Sequence, residues 1–113
     1  MLGIGKWKGE ISTVVLKGTV FFDIDCNDGV YAVDIRLPSP MNGVKIIFDE
    51  IHEEGNSLVG TGSISVMKNK TVETKITFEE DGRVKTFMKI PMLGKVVMKN
   101  IVKEPLNKSQ HTL

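Results

Sequence analysis

The sequence predicts an all-β fold, a single-domain eight-stranded antiparallel up-and-down barrel. Three observations carry this expectation. Segments of alternating polarity, rich in Val, Ile, Thr and Phe, recur about every dozen residues along the 113-residue chain. Each is punctuated by Gly, Asn, Asp or Pro, and none has a helical period. When the segments are laid against one another the apolar face survives every hairpin, as a half-buried sheet requires.

The expected strands are 6–16, 19–27, 30–37, 44–53, 57–67, 71–79, 83–90 and 95–103. Lys17-Gly18 joins the first two and sets Ile11, Thr13 and Val15 against Ile24, Phe22 and Val20. A two-residue turn at Asp28-Gly29 then places Cys26 against Tyr31, Ile24 against Val33, Phe22 against Ile35 and Val20 against Leu37. A three-residue loop at Glu54-Gly55-Asn56 pairs Ile46 with Ile64, Val44 with Val66 and Phe48 with Gly62, and Lys68-Asn69-Lys70 pairs Val66 with Val72. Glu80-Asp81-Gly82, with Gly82 free to turn left-handed, sets Phe78 against Val84, Ile76 against Thr86, Thr74 against Met88 and Val72 against Ile90. "PMLGK" returns Met98 to Met88. The barrel domain is therefore 1–104, followed by a polar, frayed tail over 105–113.

A meander with one apolar face and no helix to cover it must close on itself or stack on a second copy. Eight strands suffice for a barrel filled by side chains or holding one small ligand. A flattened sandwich or a dimer of open sheets is the alternative.

Gly5-Lys6-Trp7, at the head of the first strand, resembles the glycine-x-tryptophan signature of the calycins: the lipocalins, fatty-acid-binding proteins and avidins. The resemblance implies a calycin-like barrel in which Trp7 plugs the end carrying the tight turns, with Gly5 and Gly9 giving the indole room. A small hydrophobic ligand would then enter at the opposite mouth, beside "PSPMNG" and "PMLGK". The chain departs from the pattern in several places. The last strand offers Lys99, Asn100 and Lys103 where lipocalins carry an arginine, and there is no helical lid, no inward arginine pair and no avidin-like polar pocket. The family's particular ligands are therefore not carried over.

Fifteen Lys and Arg nearly balance fourteen Asp and Glu, and the charges are scattered, so nucleic acid and membrane surfaces are not expected partners. No apolar run reaches the length of a membrane span. The single Cys26 and an N-terminus without a signal-peptide pattern point to the cytoplasm. No cofactor motif is present, and His52 has only His111 as a fellow imidazole, so no metal site is expected.

The expected interior, and the candidate lining for a ligand, is Phe22, Leu37, Val44, Phe48, Gly60, Gly62, Ile64, Ile76, Met88 and Met98. Gly60 and Gly62 leave space there, unless aromatic rings fill it or a bulge bends the strand. Met41, Met92 and Leu93 form an adaptable mouth. Near the Trp7 end, Tyr31, Glu50 and His52 form a polar cluster with Cys26, Thr86 and Asn100; it serves either acid–base chemistry or hydrogen bonding around the plug. Outside, Asp23 faces Asp34, with Lys8 as the expected counter-charge. Ile47, Ile51 and Val59 lie on neighbouring strands of the outer face and form a candidate homodimer interface, with Phe87 and Val97 also outward.

Three functions follow. The first is a non-catalytic protein that encloses a small hydrophobic molecule. The alternative is a homodimerising interaction or structural module without a ligand. The third, an enzyme using Glu50, His52 and Tyr31, has the least support because no nucleophile and base pairing is visible.

Overall fold

Alternating polarity becomes nine strands among the described residues: β1 Gly5–Ser12, β2 Lys17–Asn27, β3 Val30–Arg36, β4 Ile46–Glu54, β5 Ser57–Ile64, β6 Met67–Phe78, β7 Val84–Ile90, β8 Gly94–Val97 and β9 Lys99–Lys103. The computed structural model describes residues 2–14, 16–91 and 93–104. The expectations for Val15, Met92 and the tail 105–113 lie outside them.

The strands form two antiparallel sheets, ordered β3-β2-β1-β9 and β4-β5-β6-β7-β8. The expected last strand is one run broken at the buried Met98, with Asn100 at φ 55° just beyond. Before the break β8 pairs with β7; after it β9 pairs with β1, so this run passes from one sheet to the other. On the far side no ladder joins β3 to β4 among the described residues. The expected fully closed barrel is corrected to this extent: the all-β meander is present as two sheets with a seam between β3 and β4. The connection 37–45 holds Pro38 and Pro40, which cannot donate to a ladder, and β4 departs from regular pairing.

The β2/β3 and β6/β7 pairings follow the expected register, as do Ile46 with Ile64 and Phe48 with Gly62. Three other pairings slide along the strand. Ile11 meets Gly18 and Trp7 meets Phe22, because the chain turns at Thr13–Leu16, where the Thr13 amide donates to the Leu16 carbonyl at 2.8 Å. That turn buries Leu16 and leaves Val14 fully exposed. Gly62 meets Val72 and Leu58 meets Ile76, since the β5/β6 turn comes early and leaves Val66 61% exposed rather than inward. Met88 meets Val96 instead of Met98. Every one of these slips is an even number of residues, so no side chain changes face.

The core lies between the two sheets. Val20, Phe22, Ile64, Val72 and Met88 have no solvent exposure, with Leu58, Ile76, Ile90 and Val96 almost as deep. Leu2 and Ile4 pack on this core at the Trp7 end; Met41, Val44 and Leu93 pack on it from the loops at the other.

Candidate functional site

Irregularities in β4 and β9 do change faces. Between Phe48 and Glu50 the β4/β5 register shifts: Phe48 faces Gly62, yet Glu50 faces Thr61 and Ile51 faces Gly60. Asp49 is the extra residue, and the turn contracts to Gly55-Asn56 between Glu54 and Ser57. The bulge fits because Gly62 has no side chain; a Cβ there would collide with the Ile47 carbonyl oxygen and lie 2.7 Å from Phe48 Cα. Sheet closeness, not ligand space, explains that glycine. Gly60 is less crowded, with Ile51, Phe48 and Thr74 side chains 3.2–3.3 Å from where its Cβ would be. Side chains fill the space Gly60 leaves, and the β4 backbone fills the space Gly62 leaves.

The bulge dismantles the expected polar cluster. Glu50 and His52 are exposed, and His52 sits between two carboxylates of its own strand, 3.5 Å from Glu50 and 2.8 Å from Glu54. Glu53 takes the position beside Tyr31 instead. The Tyr31 hydroxyl donates to Glu53 Oε2 at 2.5 Å across the seam and accepts from the Leu2 amide at 2.7 Å. Burial first, and then the bond to Glu53, pushes the Tyr31 phenol above its ordinary value. Cys26 is half-buried against the core, Thr86 is buried on β7, and Asn100 is exposed and bonded to Glu10. These groups form no acid–base constellation. Asp23 does face Asp34, but its counter-charges are Lys6 at 3.2 Å and Arg36 at 3.4 Å rather than Lys8. Among the described residues no group of three or more His, Cys, Asp or Glu could hold a metal ion.

Trp7 is half-buried. Its ring stacks on Phe22 with 6.1 Å between centroids, meets Phe78 at 5.7 Å, and its indole N–H donates to the Gly3 carbonyl at 2.8 Å. Leu2, Gly3 and Ile4 fold over this end. Gly9 makes room for Ile101 and Met98, and Gly5 for Lys103, so neither glycine serves the indole as expected. The Lys103 ammonium stands 5.7 Å from the ring centre.

The candidate interior residues come together as a core. Phe22, Ile64, Ile76 and Met88 show 0–2% exposure, Leu37 and Met98 are buried, and Val44 and Phe48 pack against them from the margin. A side chain with no exposure borders no water-sized void, so these residues fill the interior with one another. The candidate interface does not come together. Ile47 is half-exposed and Val59 partly so, whereas the bulge turns Ile51 inward against the core.

Open space lies outside. The pairing of β4 to β8 lines up His52, Val59, Lys75, Phe87 and Val97 in one row across the outer face. Where β8 leaves β7 at Met98, a groove of about 630 Å³ opens, lined by Lys75, Thr77, Val84, Lys85, Thr86, Phe87, Lys95, Val97 and Met98. The Lys95 ammonium lies 5.3 Å from the Phe87 ring centre, and Lys85 pairs with Glu79 at 3.1 Å. Thr86 is 4% exposed and its hydroxyl has no hydrogen-bond partner. A second depression of about 380 Å³ follows the seam, between Val30–Val33 of β3 and Phe48–Ile51 of β4. In the sequence each groove lysine alone reads as a solvated face; only the register joins them to Phe87 and Val97.

Comparison of the chain with family models, with curated proteins and with solved structures gives no match.

Proposed function

We propose that this chain is a non-catalytic binding module of calycin-like build, which takes a small hydrophobic partner on the outside of its five-stranded sheet rather than in its interior. One contrast carries the reading: the side chains that would line an interior pocket are buried against one another, whereas the groove over Phe87 and Val97 is open. Its volume lies within the range of about 300–1,000 Å³ common to small-molecule sites. The calycin-like part of the proposal draws support from the meander order and from Trp7, stacked on Phe22 with a cation from the last strand over it. The module belongs in the cytoplasm on this reading, consistent with its single, unpaired Cys26.

Titration with an uncharged fluorescent lipophile such as Nile red tests the location. Saturable binding that is lost in Phe87→Ala supports the outer site. Binding that survives Phe87→Ala overturns it and returns the ligand to the interior, with the β3/β4 seam as its way in. A second reading, a homodimer over the same face, is favoured by the row of Val59, Phe87 and Val97, the last 51% exposed. Sedimentation separates the two: a monomer that binds the dye excludes the dimer.

A further inference from the structure

Resting on that reading of the outer face, we infer that the groove binds an amphipathic anion, an organic carboxylate whose apolar body lies on Phe87, Val97 and Met98 and whose charge lies between Lys75 and Lys95.

The lining supplies the chemistry. All its charged residues are lysines, and no acid borders it. Lys85 is committed to Glu79, and Lys95 rests beside the Phe87 ring, but Lys75 has no ion pair among the described residues. Register fixes the placement of the other two: Lys75 stands directly across from Phe87, and Lys95 lies two residues before Val97, the partner of Phe87 on the next strand. Both cations therefore flank one aromatic ring. With a formal net charge of only +1, the chain as a whole attracts anions weakly, so this local concentration of charge is what selects an anion.

The floor suits a flexible or planar apolar body. Met98 sits where β8 ends and β9 begins, and its unbranched side chain adapts to irregular shapes. The concave shape favours a discrete molecule over an anionic membrane surface, which would need cations on a protruding face.

The test is calorimetric titration of the full chain with decanoate, and in parallel with decyltrimethylammonium, the same tail bearing the opposite charge. Saturable one-site binding of decanoate alone is expected. It should weaken tenfold or more in Lys75→Glu/Lys95→Glu and in Phe87→Ala, with thermal unfolding of the variants reporting that they remain folded. Equal binding of both tails, or decanoate binding indifferent to the charge reversal, overturns the anion; if Phe87→Ala still abolishes it, the outer groove stands. Decanoate binding indifferent to both variants overturns the groove as well. Absence of decanoate binding while Nile red still depends on Phe87 overturns the anion and leaves the outer site.

Discussion

The carbonyl oxygen of Ile47 occupies the place where a Cβ on Gly62 would stand. This contact lets β4 insert Asp49 as an extra residue opposite β5 and turn its last half over. Replacing Gly62 by Ala must push the two backbones apart, and overpacking of this kind costs about 1–3 kcal/mol. Gly60→Ala meets only side chains, at 3.2–3.3 Å, and should cost less. Urea unfolding of the two variants checks the order; a Gly60 variant as unstable as the Gly62 variant would contradict it.

His52 and Glu50 are solvent-exposed on the outer face of β4. Exposed ion pairs contribute little. His52→Ala and Glu50→Gln are each expected to change stability by no more than about 0.5 kcal/mol. A larger loss in chemical denaturation would restore to them a structural role that their exposure denies.

These two residues also show what the sequence made legible and what it did not. Alternation of apolar side chains declares which face a residue occupies, and so the core of Phe22, Ile64, Ile76 and Met88 was readable. Alternation does not declare how far one strand slides along another, because any even slip keeps the faces. Ile11 against Gly18 rather than Ile24, and Met88 against Val96 rather than Met98, are slips of that kind. The Asp49 bulge is an odd displacement, and it exchanged Glu50 and His52 for Ile51 and Glu53 on the inner side. Its trace in the sequence was Gly62, a glycine inside a strand, for which bulge and pocket were both open readings. Of the outer groove, the outward placement of Phe87 and Val97 was legible but the opening beside them was not, because the break at Met98 interrupts a continuous apolar pattern.

Tyr31 ties the seam to the N-terminal segment through Glu53 and Leu2. Hydrogen bonds to a charged partner contribute about 1.5–3 kcal/mol, so Tyr31→Phe should lose an amount of that order. The folded phenol holds its proton more tightly than the unfolded one, whose ordinary value is 10.0. Its contribution is therefore whole below that pH and is lost as the pH rises through the folded value. Unfolding measured from pH 8 to 11 should show the wild type weakening toward the Tyr31→Phe variant at the alkaline end; parallel curves would contradict the bond across the seam.

Thr86 carries a buried hydroxyl with no partner. Such a group costs about 1–3 kcal/mol to bury, and valine has nearly the same shape without it. Thr86→Val is expected to raise the midpoint of thermal unfolding. A lower midpoint would mean that the hydroxyl is satisfied in solution.

Methyl-resolved NMR during titration with decanoate tests the location of binding most directly. If the interior is filled and the groove is the site, saturable shifts will centre on Val84, Val97 and Met98 while Ile64, Val72 and Met88 stay in place. Shifts centred on Ile64, Val72 and Met88 would contradict it, because only a ligand among the core side chains could move them.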